Sequence, residues 1–179
     1  MKHKICFMKF LYILIGICTF TISFSQPSNQ KPCSAPEASQ FDFWIGDWVA
    51  TWSDTLHGTN RIEKMFGNCT IHESFSDPNT NFLGQSWSVY NANNKKWQQT
   101  WVDNQGGYIA LTGGMANDSM ILITAERPVP SSVSNTGKIM SRMAYYNIKP
   151  DSFEWSWEAS TDGGKSWKQN WLIHYLRKK

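Results

Sequence analysis

The sequence lacks the short motifs that mark many catalytic and metal-binding sites. It contains no GxSxG nucleophile motif, no P-loop and no HExxH zinc-protease motif. Its cysteines form no CxxC pair and no Cys/His cluster of the kind that holds zinc. No catalytic residue and no metal ligand can therefore be assigned from a motif.

The chain also lacks an apolar run long enough for a comfortable membrane span, which needs about 20 residues. Its longest run, residues 10–22, follows a lysine-containing start and precedes the small residues Ser23 and Ser25. This order is typical of an export signal, so we predict a signal peptide over residues 1–25 with cleavage before Gln26. Lipidation at Cys18 is the alternative, and the bulky Ile17 before it disfavours that reading.

The chain that remains after removal of this segment has no net charge. Residues 1–25 hold three lysines and no acidic residue, so the formal net charge falls from +3 to zero. A neutral chain offers no electrostatic attraction for nucleic acid, and we expect no nucleic-acid partner. We expect export to the periplasm or the cell exterior, with no membrane span in the mature chain.

Two cysteines, Cys33 and Cys69, remain after the predicted cleavage. An even pair in an exported protein predicts a disulfide. Cys33 lies in a polar, proline-containing stretch, residues 26–39, which we interpret as a flexible leader. Residues 40–179 then suit a single domain with one core.

Long helical periodicity is absent after the leader, apart from one possible helical turn in "FDFWI". The chain instead alternates polar and apolar residues in short segments bounded by Gly, Asn, Asp and Pro, which predicts about ten strands. Short links between so many strands indicate an antiparallel up-and-down β-barrel or a sandwich. Closing the sheet into a barrel would remove exposed edges and enclose a cavity.

The segment "STDGGKSW", residues 160–167, matches the Asp-box pattern of sialidase-type propellers. A propeller needs at least about four blades, and one copy of the box in a chain of this length cannot supply them. We therefore predict a structural turn in which Asp162 accepts backbone N–H groups and the glycines adopt positive φ. Sugar binding stays an alternative that requires two or more tryptophans displayed flat on the surface.

A family resemblance begins at "FDFWIGDW", residues 41–48, whose Gly-x-Trp at the start of the first strand resembles the calycin superfamily of lipocalin-like and nitrobindin-like barrels. Together with "NCTIHESF", "GQSWSVYN", "KWQQTWVDNQGG" and "WEASTDGGKSW…YLR", it resembles the uncharacterised DUF1579-like bacterial barrels over residues 40–177. The resemblance implies an antiparallel barrel in which Arg177 stacks on Trp48 and closes one end. It implies no particular activity.

The most unusual feature is the ten tryptophans. Trp97, Gln99, Trp101 and Asp103 share one strand face, so an inward orientation would place an amide among aromatic walls. Glu73, on the face of Ile71, would form an ion pair with Arg142 or a polar floor for a ligand. Alternation alone does not decide which face is inward. The predicted ligand-binding residues are Trp52, Glu73, Ser88, Tyr90, Gln99, Trp101, Arg142, Trp155 and Trp157.

Three functions follow from these features. The first is an exported barrel that binds a small apolar or aromatic molecule in a tryptophan-rich cavity, without a cofactor. The second is a barrel enzyme of isomerase or hydrolase type that uses Glu73 or His72 for proton transfer. The third is a haem protein of nitrobindin type with His174 as ligand, although "QNWLIHY" lacks that family's histidine four residues earlier.

Overall fold

The computed structural model describes residues 31–53 and 55–179, which form an all-β unit with two short 3₁₀ helices. The predicted signal peptide lies outside the described residues. The 3₁₀ helices span Pro36–Ser39 and Asp42–Trp44, and the second is the helical turn expected in "FDFWI". The strands are β1 Gly46–Thr51, β2 His57–Met65, β3 Thr70–Asp77, β4 Phe82–Asn91, β5 Lys96–Asp103, β6 Tyr108–Ala116, β7 Ser119–Thr124, β8 Arg127–Pro128, β9 Lys138–Lys149, β10 Ser152–Ser160 and β11 Lys168–Arg177.

The sheet closes on itself with up-and-down connectivity. Antiparallel pairing runs from β1 through β7, passes to β9, continues to β10 and β11, and returns to β1. Ten strands therefore form the barrel, and the two-residue β8 pairs with the start of β9 beside it. The prediction of an up-and-down antiparallel barrel of about ten strands is confirmed.

Alternation along the strands sets which side chains enter the barrel. In β3 the inward side chains are Ile71, Glu73, Phe75 and Asp77, all buried, while the residues between them are half-buried. In β4 the small residues Gly84, Ser86 and Ser88 face inward and leave room for larger side chains from β5. The period-2 pattern therefore positions both the core and the site.

One end of the barrel is filled by aromatic rings. Phe41 and Trp44, from the 3₁₀ segment before β1, are almost completely buried and pack against Tyr145. The guanidinium carbon of Arg177 lies 4.1 Å from the ring centroid of Trp48, as the family resemblance implied. The same guanidinium donates to the backbone oxygen of Ile45 at 2.9 Å and so ties the last strand to the chain before β1.

Two further structural predictions are confirmed. Cys33 and Cys69 form a disulfide that links the segment before the first 3₁₀ helix to the residue before β3. In the β10–β11 turn, Asp162 accepts the backbone N–H groups of Lys165 and Ser166, both at 3.0 Å. Gly163 and Gly164 have φ of 74° and 84°, as that turn requires. The Asp box is a turn, and Asp162 also accepts hydroxyl hydrogen bonds that were not foreseen, from Ser160 and Ser166.

The helices of the described residues are short. None of them has the length and apolar character needed to cross a membrane.

Candidate functional site

A cavity of about 210 Å³ lies inside the barrel, toward the end opposite the Phe41–Trp44 plug. The cavity is partly open to solvent, and Trp171, which is 36% exposed, stands in its wall. Aromatic and aliphatic side chains make up most of the wall, and two carboxyl groups interrupt it. The lining residues are Glu73, Phe75, Phe82, Trp101, Asp103, Ile109, Met143, Tyr145, Trp155, Trp157, Trp171, Ile173 and Tyr175.

Glu73, near the middle of β3, supplies the polar floor of this cavity. Its Oε1 accepts Asn60 Nδ2 at 2.7 Å, and its Oε2 accepts the hydroxyl of Ser86 at 2.6 Å. Ser86 in turn accepts Gln99 Nε2 at 3.0 Å. The neighbouring strands β2 and β4, with β5 beyond, therefore hold the carboxyl group in one orientation.

Burial controls the protonation of Glu73. The loss of water around the carboxyl group raises its pKa from 4.5 to about 7, although the hydrogen bonds from Ser86 and Asn60 favour the charged form. Glu73 is thus an interior group whose charge changes near neutral pH, and such perturbed carboxyl groups are common in functional sites.

Two tyrosines share the cavity with Glu73. Burial, reinforced by the charge of Glu73, raises the pKa of both Tyr145 and Tyr175, so both phenols stay protonated. The hydroxyl of Tyr175 accepts Asn60 Nδ2 at 3.3 Å. Because that bond uses an oxygen lone pair, the Tyr175 hydrogen remains available for an acceptor in the cavity.

Asp103, at the end of β5, is the second carboxyl group of the wall. Its Oδ1 accepts the backbone N–H of Gly107 at 2.8 Å and of Gln105 at 2.9 Å, and its Oδ2 accepts Trp101 Nε1 at 3.1 Å. These hydrogen bonds hold the pKa of Asp103 below its usual value, and the bond from the backbone N–H of Gly107 contributes most. Asp103 is therefore charged at neutral pH.

The sequence prediction named four of the lining residues: Glu73, Trp101, Trp155 and Trp157. Gln99 and Trp101 face inward, which is the condition on which their assignment to a pocket depended, since Gln99 is 2% exposed and Trp101 lines the cavity. Gln99 itself stands behind the wall, where it reaches Glu73 through Ser86.

The remaining predicted ligand contacts lie elsewhere in the fold. Trp52 packs behind the wall, with its ring centroid 5.6 Å from that of Trp171. Tyr90 packs on Trp97, 5.9 Å between centroids, and Ser88 is fully buried outside the lining set.

Arg142 does not pair with Glu73, and the ion pair suggested from the sequence is wrong. Arg142 lies between Ser141 and Met143 of β9, on the sheet face opposite to the cavity-lining Met143. Its Nε donates to Glu158 Oε2 at 2.7 Å, and its guanidinium carbon lies 4.3 Å from the ring centroid of Trp167. The other suggestion from the sequence was a polar floor at Glu73. It matches the barrel interior, where Asn60 and Ser86 donate hydrogen bonds to Glu73.

The described histidines lie outside the cavity. His174 is an exposed residue of β11 whose Nδ1 is 3.4 Å from Glu154. His72 stacks on the exposed Trp87 at 4.2 Å between centroids, on the face opposite to Glu73. The cavity thus offers no histidine among residues 31–53 and 55–179 to hold haem, and His72 cannot act in it. No group of three His, Cys, Asp or Glu suited to a metal ion occurs in that part of the chain.

Sequence reasoning missed most of the lining. Phe75 and Trp171 could have been found, because they alternate in phase with Glu73 and Ile173 along their strands. Met143 and Tyr145 gave no such signal, since Met143, Ala144 and Tyr145 are all buried and β9 does not alternate there.

Comparison with known proteins does not assign the chain to a family. No protein-family model matches the chain, and no curated protein matches it.

Proposed function

We propose that the chain is an exported barrel that binds one small, largely apolar or aromatic molecule in its cavity. The observation that carries the proposal is the solvent-connected aromatic cavity with the Glu73 carboxyl group on its floor. Such a site, with apolar walls and few polar groups, is the usual form of a small-molecule pocket. The Cys33–Cys69 disulfide supports export to an oxidising compartment. Membership in the calycin superfamily is part of this proposal and rests on the resemblance in the sequence.

The size of the cavity limits the ligand. Drug-sized ligands occupy pockets of about 300–1,000 Å³, and this cavity measures about 210 Å³. We therefore expect a molecule built around a single ring rather than a long lipid chain. The free hydrogen of Tyr175 and the carboxyl group of Glu73 would orient its polar end.

Native mass spectrometry of the protein purified from its own host tests this proposal, with the variant Met143→Trp beside the parent. Met143 lines the cavity, so the larger side chain should fill it and remove a bound small molecule. Met115→Trp is the matched control, because Met115 is 38% exposed on β6. A parent protein that carries no small molecule and saturates with no single-ring compound would contradict the proposal.

A second candidate, a proton-transfer enzyme, is favoured by one observation: Glu73 has a pKa of about 7 and shares the cavity with two protonated tyrosines. A carboxylate with that pKa can take a proton from carbon beside a carbonyl group, while a phenol donates a hydrogen bond to the developing enolate oxygen. The substrate would be a small β,γ-unsaturated ketone. Glu73 would take the proton from the carbon between the carbonyl group and the double bond and return it to the γ carbon of the dienolate, so that the double bond moves into conjugation and the reaction is an isomerisation.

Deuterium exchange at the carbon beside the carbonyl group of phenylacetone, followed by NMR in heavy water, tests this candidate. The parent should accelerate exchange, and Glu73→Gln should lower the rate to that of buffer, because an amide cannot accept the proton. Glu63→Gln, on the outer face of β2, should keep the parental rate. Exchange at the buffer rate in the parent would exclude this chemistry for small ketones.

A further inference from the structure

The charges of the cavity all have one sign. Its wall contains the carboxyl groups of Glu73 and Asp103, and no Lys, Arg or His belongs to the described lining. The arginines of the barrel strands are engaged elsewhere, Arg61 with Glu63 and Arg142 with Glu158 on the outer face, and Arg177 with Trp48 at the plugged end. Neither cavity carboxyl group forms an ion pair with any described residue.

Two buried amide oxygens lie beside the Glu73 network, behind the cavity wall. Asn60 is 1% exposed and Gln99 is 2% exposed, and both use their amide N–H groups within the Glu73 network. Their carbonyl oxygens, Asn60 Oδ1 and Gln99 Oε1, find no donor among residues 31–53 and 55–179. Buried acceptors without donors are uncommon, since each costs free energy. Neither residue lines the cavity, and the nearby Ser88 hydroxyl is also without a described partner, so the charge preference of the cavity comes from its carboxyl groups and not from these oxygens.

The wall itself favours positive charge. Trp101, Trp155, Trp157 and Trp171 all line the cavity, and the rings of Trp155 and Trp171 meet nearly at right angles, 5.6 Å between centroids. Indole faces attract cations, most strongly where water is excluded. The indole rings and the carboxyl groups of the wall therefore both favour a positively charged ligand.

Building on the proposed function, we propose that the ligand is a small protonated amine carried on a single ring, with its ammonium group directed at Glu73 and its ring among the cavity tryptophans. The ammonium group has several N–H donors and one positive charge, which match the two cavity carboxyl groups that form no ion pair with a described residue. A carboxylate ligand of the same size would face Glu73 and Asp103 with no cation beside it.

Three compounds that differ in one group separate these cases: 2-phenylethylamine, 2-phenylethanol and phenylacetate. Isothermal titration of the parent at pH 8 should give the amine an affinity at least about tenfold above the alcohol, with phenylacetate weakest. Glu73→Gln should remove most of the amine's advantage over the alcohol, and Asp103→Asn should reduce it. Glu63→Gln is the matched control on the outer face and should keep the parental ratio.

The amine should also bind more tightly as pH rises from 6 to 8. The titratable groups that face Glu73 are Tyr145 on β9 and Tyr175 on β11, which stay neutral, and Asp103 on β5 lines the same cavity already charged. Only Glu73, with its pKa of about 7, then changes charge over this range, and amine binding should release its proton. The alcohol should show no such rise.

The possible outcomes distinguish this inference from the proposed function. Equal affinity for amine and alcohol in the parent, or tighter binding of phenylacetate, overturns the amine assignment and leaves a small-molecule barrel. Failure of all three compounds, while native mass spectrometry still finds a bound molecule lost in Met143→Trp, has the same meaning. If no bound molecule is found either, the proposed function falls with it.

Discussion

Glu73 carries its carboxyl group into the barrel between two hydrogen-bond donors, so its protonation couples to the stability of the fold. Its pKa rises from 4.5 in the free side chain to about 7 in the folded protein because burial penalises the charge. The folded state thus keeps a proton that the unfolded state has lost between these two values. By linkage, the contribution of Glu73 to stability is greatest below pH 4.5 and declines as pH rises through 7.

We therefore expect Glu73→Gln to flatten the pH dependence of stability between pH 5 and pH 8. The amide is neutral throughout, and the Ser86 hydroxyl can rotate to accept from it. Urea unfolding across this range, followed by tryptophan fluorescence, measures the effect as the difference in midpoint between parent and variant. The midpoint of the variant should rise relative to that of the parent as pH rises. A difference in midpoint that stays constant across this range would contradict the pKa assigned to Glu73.

The β10–β11 turn is an element that the sequence defines locally. Asp162 accepts two backbone N–H groups and two hydroxyl groups, which hold its pKa below the usual value. Asp162→Ala should lower the melting temperature by about 2–6 °C, since a side-chain cap of backbone groups is lost. It should leave binding in the cavity unchanged, because Asp162 is not part of the lining.

The control for this turn is Asp118→Ala in the β6–β7 turn, where the side chain is exposed. That variant should melt with the parent in differential scanning calorimetry. If Asp162→Ala instead kept full stability but lost binding to a sugar that the parent binds, the Asp box would have to be a binding element.

The Cys33–Cys69 disulfide ties the segment before the first 3₁₀ helix to the start of β3. It closes a loop with a sequence separation of 36 residues, so replacing both cysteines by serine should cost about 2–4 kcal/mol of unfolding free energy. Chemical denaturation measures the loss, and a free-thiol assay on unreduced, denatured parent should find no thiol from this pair. Two titratable thiols from these positions would refute the bridge.

At the scale of the whole molecule, Arg177 joins the last strand to the segment before the first. Its guanidinium stacks on Trp48 and donates to the backbone oxygens of Ile45 and of Pro150, at 2.9 Å and 2.8 Å. Arg177→Met should cost about 2–4 kcal/mol, because it removes charged hydrogen bonds and the cation–π contact together. Arg177→Lys should recover only part of this, since an ammonium group cannot reproduce the planar fork.

Equilibrium urea unfolding of both variants measures this contribution. Arg61→Met is the matched control, because the Arg61 side chain is 62% exposed and pairs with Glu63 on the surface. Its midpoint should stay at the parental value. An equal midpoint for Arg177→Met would mean that barrel closure depends on the strand pairing of β1 with β11 alone.

The barrel could be predicted from the chain because strand formation here depends on local alternation and local turns. The face of β5 that carries Gln99 and Trp101 was recognised as one face because its residues are two apart. For the same reason the turn at Asp162 was recognised, since its donors and acceptors lie within four residues of one another.

The site could be predicted only in part, because its members come from distant strands. Glu73 and Tyr175 both contact Asn60 although more than a hundred residues separate Asn60 from Tyr175. No local pattern shows that Arg142 points to the outer face of the sheet, because the residues around Met143 in β9 are buried on both faces.

The sequence by itself determined the strands, their up-and-down order and the Cys33–Cys69 disulfide. These depend on short-range periodicity and on two cysteines that have no other partner in the predicted mature chain. The Arg177–Trp48 contact was implied by the family resemblance and not by the residue pattern. Only the tertiary structure decided which aromatic side chains line the cavity and that its charged groups are all acidic. Barrel closure sets which inward side chains meet across the interior, and the burial that raises the pKa of Glu73 exists only after ten strands have closed around it.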